Sequence, residues 1–219
     1  MSGSAEQAAD GPDRLDHNAF QNVPYRGMIT LLVMSGTVMQ VLDTTIANIA
    51  LPHMQGALGA AQDTITWVLT SYIVASAVMV PLTGWLTNRI GRKNLMLFAV
   101  GGFTVTSTLC GIASGLGEMV FYRILQGICG AFIVPLGQTI MLDINPPSRH
   151  GRAMAMWAAG VMIAPIMGPT LGGWLTEAYD WRWVFFINLP IGIMTFIGIL
   201  TFMPDKKGPR ETLNLFGFT

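Results

Sequence analysis

The chain has 219 residues, 52% hydrophobic and 11% charged, with a formal net charge of zero and a mean hydropathy of +0.51. A soluble domain carries roughly 25% charged residues, so this composition excludes an ordinary soluble protein, and its balanced charge leaves no nucleic-acid partner to expect. Membrane spanning then depends on runs of about 20 predominantly apolar residues.

Residues 1–26 are polar, rich in Ala, Gly, Ser and Asp, and lack an apolar core. They read as a disordered cytoplasmic tail, neither a secretory signal nor a folded domain. Six apolar windows follow, at roughly 28–50, 66–87, 95–115, 118–142, 153–176 and 183–203. The expected fold is an all-α polytopic bundle over 27–203, with the lipid bilayer as its first partner. Pro81 falls in the second window, Pro135 in the fourth, and Pro165 and Pro169 in the fifth. Bundle neighbours can satisfy the carbonyls that such prolines free, which predicts kinked helices around a cavity. In the fifth window Gly160, Ala164, Gly168 and Gly172 recur every fourth residue, a small-residue ridge for close helix approach. General glycine enrichment in membrane helices is the alternative source of that spacing. Cys110 and Cys129 lie inside apolar windows and read as small buried hydrophobes rather than a disulfide or metal set. Residues 204–219 read as a cytoplasmic linker. Its end, "RETLNLFGFT", looks like the approach to a seventh helix, so a longer protein is expected.

Charge alternates along the connections. Arg14 and Arg26 precede the first window. Arg89, Arg92 and Lys93 follow the second, Arg149 and Arg152 the fourth, and Lys206, Lys207 and Arg210 the sixth. The other connections hold His53, Asp63, Glu118, Glu177, Asp180 and Arg182. The positive-inside rule places both ends of the chain and both basic connections in the cytoplasm. Six spans also divide into two groups of three entering from opposite sides, a 3+3 inverted repeat of the kind transporters use.

Two charges fall inside the spans. Asp43, in "QVLDTTIANIALP", lies about 24 Å along the first, and Arg123 lies about 8 Å into the fourth from the opposite side. In a core about 30 Å thick both occupy one level of the outer half, where opposite charges can share a polar site. Intramembrane ionisable residues are functional candidates by default. Desolvation favours the neutral acid and a nearby cation favours the carboxylate, so Asp43 is the candidate proton carrier and Arg123 its partner. A purely structural pair, or an Arg123 that snorkels to the headgroups, is the alternative. Gln126, Gly127 and Gly130 share the helix face of Arg123. The stretch "GWLTNRIGRKN" reads as a tight loop in which Gly84 and Gly91 permit close approach and Arg89, Arg92 and Lys93 fix orientation. The plain alternative is a positive-inside loop. Asp143 is the expected ion partner of Arg92. Met39, Gln40, Tyr72 and Gln126 are candidate substrate-pocket residues.

These segments resemble the amino-terminal half of the major facilitator superfamily, and most closely its fourteen-helix drug/proton antiporter branch. "GWLTNRIGRK" is similar to the signature between helices two and three, which implies a conformational-gating role for Gly84, Asn88, Arg89, Gly91, Arg92 and Asp143. The family usually has an aspartate where this chain has Asn88, so the charged latch it implies is in question. "RILQGICGA" resembles the helix-four signature, whose arginine, here Arg123, is implicated in proton coupling. "GVMIAPIMGPTLGG" resembles the helix-five antiporter motif, here Gly160, Pro165, Gly168, Pro169, Gly172 and Gly173. "LDTTIANIALP" and "WRWVFFINLPIG" are similar to segments of the same branch.

The resemblance implies proton-coupled efflux of amphipathic or lipophilic small molecules across a bacterial cytoplasmic (inner) membrane. Protons and drug are its partners, and the proton gradient replaces any cofactor. It also implies a carboxy-terminal half against which the small-residue face of helix five packs. A carrier of one metabolite and an inactive truncated membrane protein are the alternatives. An enzyme is not expected, because no His-Glu-x-x-His, Gly-x-Ser-x-Gly or clustered metal ligands occur.

Overall fold

The structure, a computed structural model, describes residues 25–203. The amino-terminal tail up to residue 24 and the linker over 204–219 lie outside the described residues. Six helical stretches are long and apolar enough to cross a membrane, and are numbered here as spans 1 to 6: Arg26–Leu58, Trp67–Ile90, Arg92–Ile112, Leu116–Asp143, Pro147–Ala178 and Trp183–Phe202.

Their interruptions follow the prolines and glycines. Span 1 runs through Pro52 and stops at Gly59, whose left-handed backbone (φ 59°) closes the helix by donating to the Gln55 carbonyl. In span 2 one 3-10 turn, Val80–Leu82, surrounds Pro81. The helix then resumes over Thr83–Ile90, where the sequence pattern suggests a loop. That stretch holds no proline, and Gly84 on its own does not end a helix. Gly91 alone, at φ 85° and ψ 153°, reverses the chain before span 3 begins at Arg92. Span 4 breaks at Ala131–Phe132, because Pro135 has no N–H to offer the Ala131 carbonyl. Pro165 and Pro169, in contrast, sit inside one unbroken helix, His150–Ala178. Span 6 is interrupted at Ile187 and resumes over Asn188–Phe202, with Pro190 in the first turn of the new segment.

The packing order has an internal symmetry. Spans 1 and 5 form one extensive contact and spans 2 and 4 another, while span 3 lies against span 4 and span 6 against span 1. Exchanging the first three spans for the last three maps each of these pairs onto the other, as a 3+3 inverted repeat requires. Spans 3 and 6 then pair with each other across the repeat.

Small residues create the seams. A Cβ on Gly127 would sit 2.5 Å from the Tyr72 carbonyl oxygen, so spans 2 and 4 meet there through backbone. The ridge of span 5 is used within this bundle: Gly160 faces Met34, Gly168 faces Thr45, and Gly172 faces Ile46 and Ile49, all on span 1. This corrects the expectation that the ridge awaits a carboxy-terminal half. Its fourfold spacing suits a long seam with span 1, and Pro165 and Pro169 fall on the exposed side instead.

The apolar core is split into two layers. One gathers Val33, Met39, Val100, Phe103, Phe132 and Trp157. The other gathers Ile46, Met54, Val68, Cys110, Met119 and Phe185. Between them lies a thin polar layer.

Candidate functional site

Span 1 brings Asp43, span 4 Arg123 and Gln126, span 3 Ser107, and span 6 Asn188 into that layer. All five are fully enclosed, at 0% exposure. Arg123 Nη1 lies 2.7 Å from Asp43 Oδ2 and 2.7 Å from Gln126 Oε1, donating to both. Its Nε donates to the Val68 carbonyl at 3.1 Å. Tyr72 and Phe185 present ring faces to the guanidinium, with centroids 4.8 and 5.4 Å away. Asp43 Oδ1 accepts from Gln126 Nε2 at 3.1 Å and from Asn188 Nδ2 at 2.7 Å. The carboxylate therefore accepts three donors, one of them ionised, from two other spans. Charge-assisted bonds of this kind are about twice as strong as neutral ones.

Chemistry fixes the amide orientations. A carboxylate oxygen only accepts, so the group that Asn188 turns to Asp43 is its NH2. Gln126 is constrained at both ends, its oxygen toward Arg123 and its nitrogen toward Asp43. Asn188 also lies 3.0 Å from Ser107 Oγ, which itself donates to the Phe185 carbonyl near the break in span 6. Sequence reasoning does not single out Asn188 as an individual residue. Its signal is an amide inside the apolar run from Trp183 to Pro190.

The common level of Asp43 and Arg123 follows from the counted helix rise, and the structure places them in direct contact. The pair sits inside the bundle, because five spans (1, 2, 3, 4 and 6) converge on it and its hydrogen-bond network. The candidate pocket residues are likewise drawn inward. Met39 is buried in the apolar layer, Tyr72 is buried against Arg123, and Gln126 is committed to the ion pair. Gln40 is partly buried and donates to Tyr72 Oη at 3.3 Å. None of Met39, Tyr72 and Gln126 lines an open pocket in this conformation.

The gating residues form a second site at the basic end. Arg92 at the start of span 3 is ion-paired with Asp143 at the end of span 4. Lys93 Nζ donates to the Leu200 carbonyl at 2.9 Å, tying span 6 to the same corner. Arg89 lies over the Trp85 ring, 5.3 Å from its centroid. Nothing lies within 4 Å of a Cβ built on Gly84, so its close-approach role is not exercised inside this bundle. The same holds for Gly173.

Six apolar spans in an inverted repeat, with an enclosed acid–guanidinium pair where they converge, define a polytopic integral membrane protein. The chain belongs to the Major Facilitator Superfamily, which matches residues 33–217. It is similar to the multidrug export protein EmrB of Escherichia coli strain K12, 44% identical over 185 residues covering 84% of this chain and 35% of that one. It is 48% identical over 167 residues to the fatty acid resistance protein FarB of Neisseria gonorrhoeae, covering 76% of this chain and 33% of FarB. The probable multidrug resistance protein EmrY of Escherichia coli strain K12 is 39% identical over 193 residues, 87% of this chain and 38% of EmrY. The chain thus spans about a third of the length of these relatives. Among solved structures, a D-xylose-proton symporter matches with a TM-score of 0.72 at 16% identity, over 83% of this chain and 49% of the symporter. That likeness establishes the fold.

Proposed function

We propose that this chain forms the amino-terminal half of a proton-coupled multidrug efflux transporter of a bacterial cytoplasmic membrane, exporting amphipathic or lipophilic compounds. Its relatives' names support the cargo class. Both ends of the chain lie on the cytoplasmic side in this reading, by the distribution of basic residues. A second half of the carrier and a proton gradient complete the machine, and no cofactor enters.

The observation that carries the proposal is the sealed Asp43–Arg123 pair. Removing the charge from one partner of a buried pair costs about 3–5 kcal/mol, because the other charge is left uncompensated. Proton binding therefore favours a conformation in which the spans separate and Asp43 and Arg123 reach water. Deprotonation favours the sealed arrangement, and alternation between the two couples proton flow to rocking. Arg92–Asp143 and Lys93–Leu200 hold the basic end together in the sealed state.

The test is Asp43→Asn in the full-length carrier, with efflux of a cationic dye driven by an imposed pH gradient. Size persists while titration is lost, although one of the two accepting oxygens becomes an NH2 that faces a donor. Efflux should fall at least about tenfold, with equilibrium dye binding retained, since about 1.4 kcal/mol of lost coupling already gives that factor. Normal efflux with unchanged pH dependence would remove Asp43 from proton coupling.

A further inference from the structure

Asp43 has three donors, and one of them has no place in the ion-pair picture. Asn188 is a neutral side chain on span 6, fully buried, 2.7 Å from Asp43 Oδ1. Its amide also reaches Ser107 Oγ on span 3 at 3.0 Å. Span 6 therefore touches the carboxylate through this side chain, and span 3 reaches it at one remove, through Ser107 on Asn188 and through Cys110 on Gln126. Asn188 Oδ1, by contrast, has no hydrogen-bond partner. A buried acceptor left unmatched is costly, and the same side chain turns its NH2 to Asp43.

We infer that Asn188 is a positioning residue for the proton site: it sets the pH at which Asp43 exchanges its proton and reports that exchange to spans 3 and 6. This inference rests on the reading of Asp43 as the proton carrier. The titratable groups around Asp43 are Arg123 from span 4, in direct contact, with Tyr72 from span 2 against Arg123 and Cys110 from span 3 against Gln126. Span 6 has no titratable residue, and span 5 has none between Arg152 and Glu177. His53 lies ten residues farther along span 1, about 15 Å away. Asn188 is thus a neutral donor with a direct bond to the carboxylate, independent of those charges.

A hydrogen bond to the ionised form favours that form. Without Asn188 the proton is held more tightly, so the pH midpoint moves up. The net worth of a bond to a charged group corresponds to about one to two pH units, and one bond among three donors falls at the lower end.

The experiment uses the purified full-length carrier and the cation tetraphenylphosphonium as probe. Proton release on probe binding is measured across a pH series for the parent, Asp43→Asn, Asn188→Ala and Ser107→Ala. Asn188→Ala should raise the midpoint by about one unit. Ser107→Ala, which loosens the amide without deleting it, should raise it less. If Asn188→Ala keeps the parent midpoint, the inference is overturned. Should Asn188→Ala fail to fold, Ser107→Ala decides: a raised midpoint supports the role and an unchanged one rejects it. Proton release that survives intact in Asp43→Asn would instead refute the underlying assignment of Asp43. The two failures therefore have different signatures.

Discussion

Arg123 is the largest side chain buried without any exposure in the described bundle. Lipid offers it no water, so its charge depends on Asp43, Gln126, the Val68 carbonyl and two ring faces. Those partners serve both folding and function, and paired substitutions can separate the two roles. Arg123→Ala leaves Asp43 buried without a counter-charge, and should destabilise the protein by about 3–5 kcal/mol. Arg123→Lys keeps the charge but not the planar fork that reaches Asp43, Gln126 and Val68 together, and should recover only part of that loss. The double variant Asp43→Asn with Arg123→Gln removes both charges and should unfold closer to the parent than Arg123→Ala does. It should nevertheless show no response of efflux to a pH gradient. Thermal unfolding in detergent reads the first outcome and vesicle efflux the second. A double variant no more stable than Arg123→Ala would mean the pair's electrostatics contribute little to folding.

At the scale of helices, glycine contacts separate seams within this half from faces that lie open. Gly127→Ala would push a methyl against the Tyr72 carbonyl, which is backbone and cannot swing aside. It should cost about 1–3 kcal/mol. Gly173→Ala meets nothing within 4 Å and should be neutral or slightly stabilising, since Ala exceeds Gly in a helix by about 0.5–1 kcal/mol. Unfolding of the two variants side by side checks the contrast, and equal losses would contradict the seam assignment. The spans are legible in the sequence because bilayer thickness imposes a length that apolar runs reveal. The level shared by Asp43 and Arg123 is legible because helix rise is constant. The partner of the span 5 ridge is not, since small-residue spacing announces close approach without saying to which helix. Thr83–Ile90 reads as loop because basic residues and glycines resemble a connection, although only Gly91 requires a non-helical backbone. Asn188 escapes notice because one amide in an apolar run acquires meaning only once spans 3 and 6 deliver it to Asp43.

The whole molecule presents two unlike ends and one incompletely covered flank. Arg26, Arg89, Arg92, Lys93, Arg149 and Arg152 mark one end. The other carries Asp63, Glu118, Glu177 and Asp180, with the Tyr179 ring in contact with both Trp174 and Trp183. Cysteine accessibility should find positions 93 and 150 cytoplasmic and positions 63 and 180 external, as basic loops dictate. External labelling at position 93 would reverse the orientation.

Burial within the bundle is uneven in a way that bears on activity. Spans 2 and 5, equivalent in the inverted repeat, bury only 22% of the residues in their apolar window, against 56% for spans 3 and 4. Their open faces carry Ile73, Val74 and Val78 on span 2 and Met162, Ile163, Ile166 and Met167 on span 5. In lipid such faces are tolerated, so the 219-residue chain should insert and keep its topology. Rocking, however, needs a second rigid body for the first to move against. The chain alone should therefore show no proton-driven dye efflux in reconstituted vesicles, and efflux should appear when the remainder of a full-length carrier is co-expressed with it. Substituting the open faces, for example Ile166→Trp with Val74→Trp, should leave insertion of the isolated chain unchanged and block rescue by the co-expressed remainder. Dye efflux by the 219-residue chain on its own would show that these six spans already contain a complete alternating-access unit, and the two-half reading would have to be abandoned.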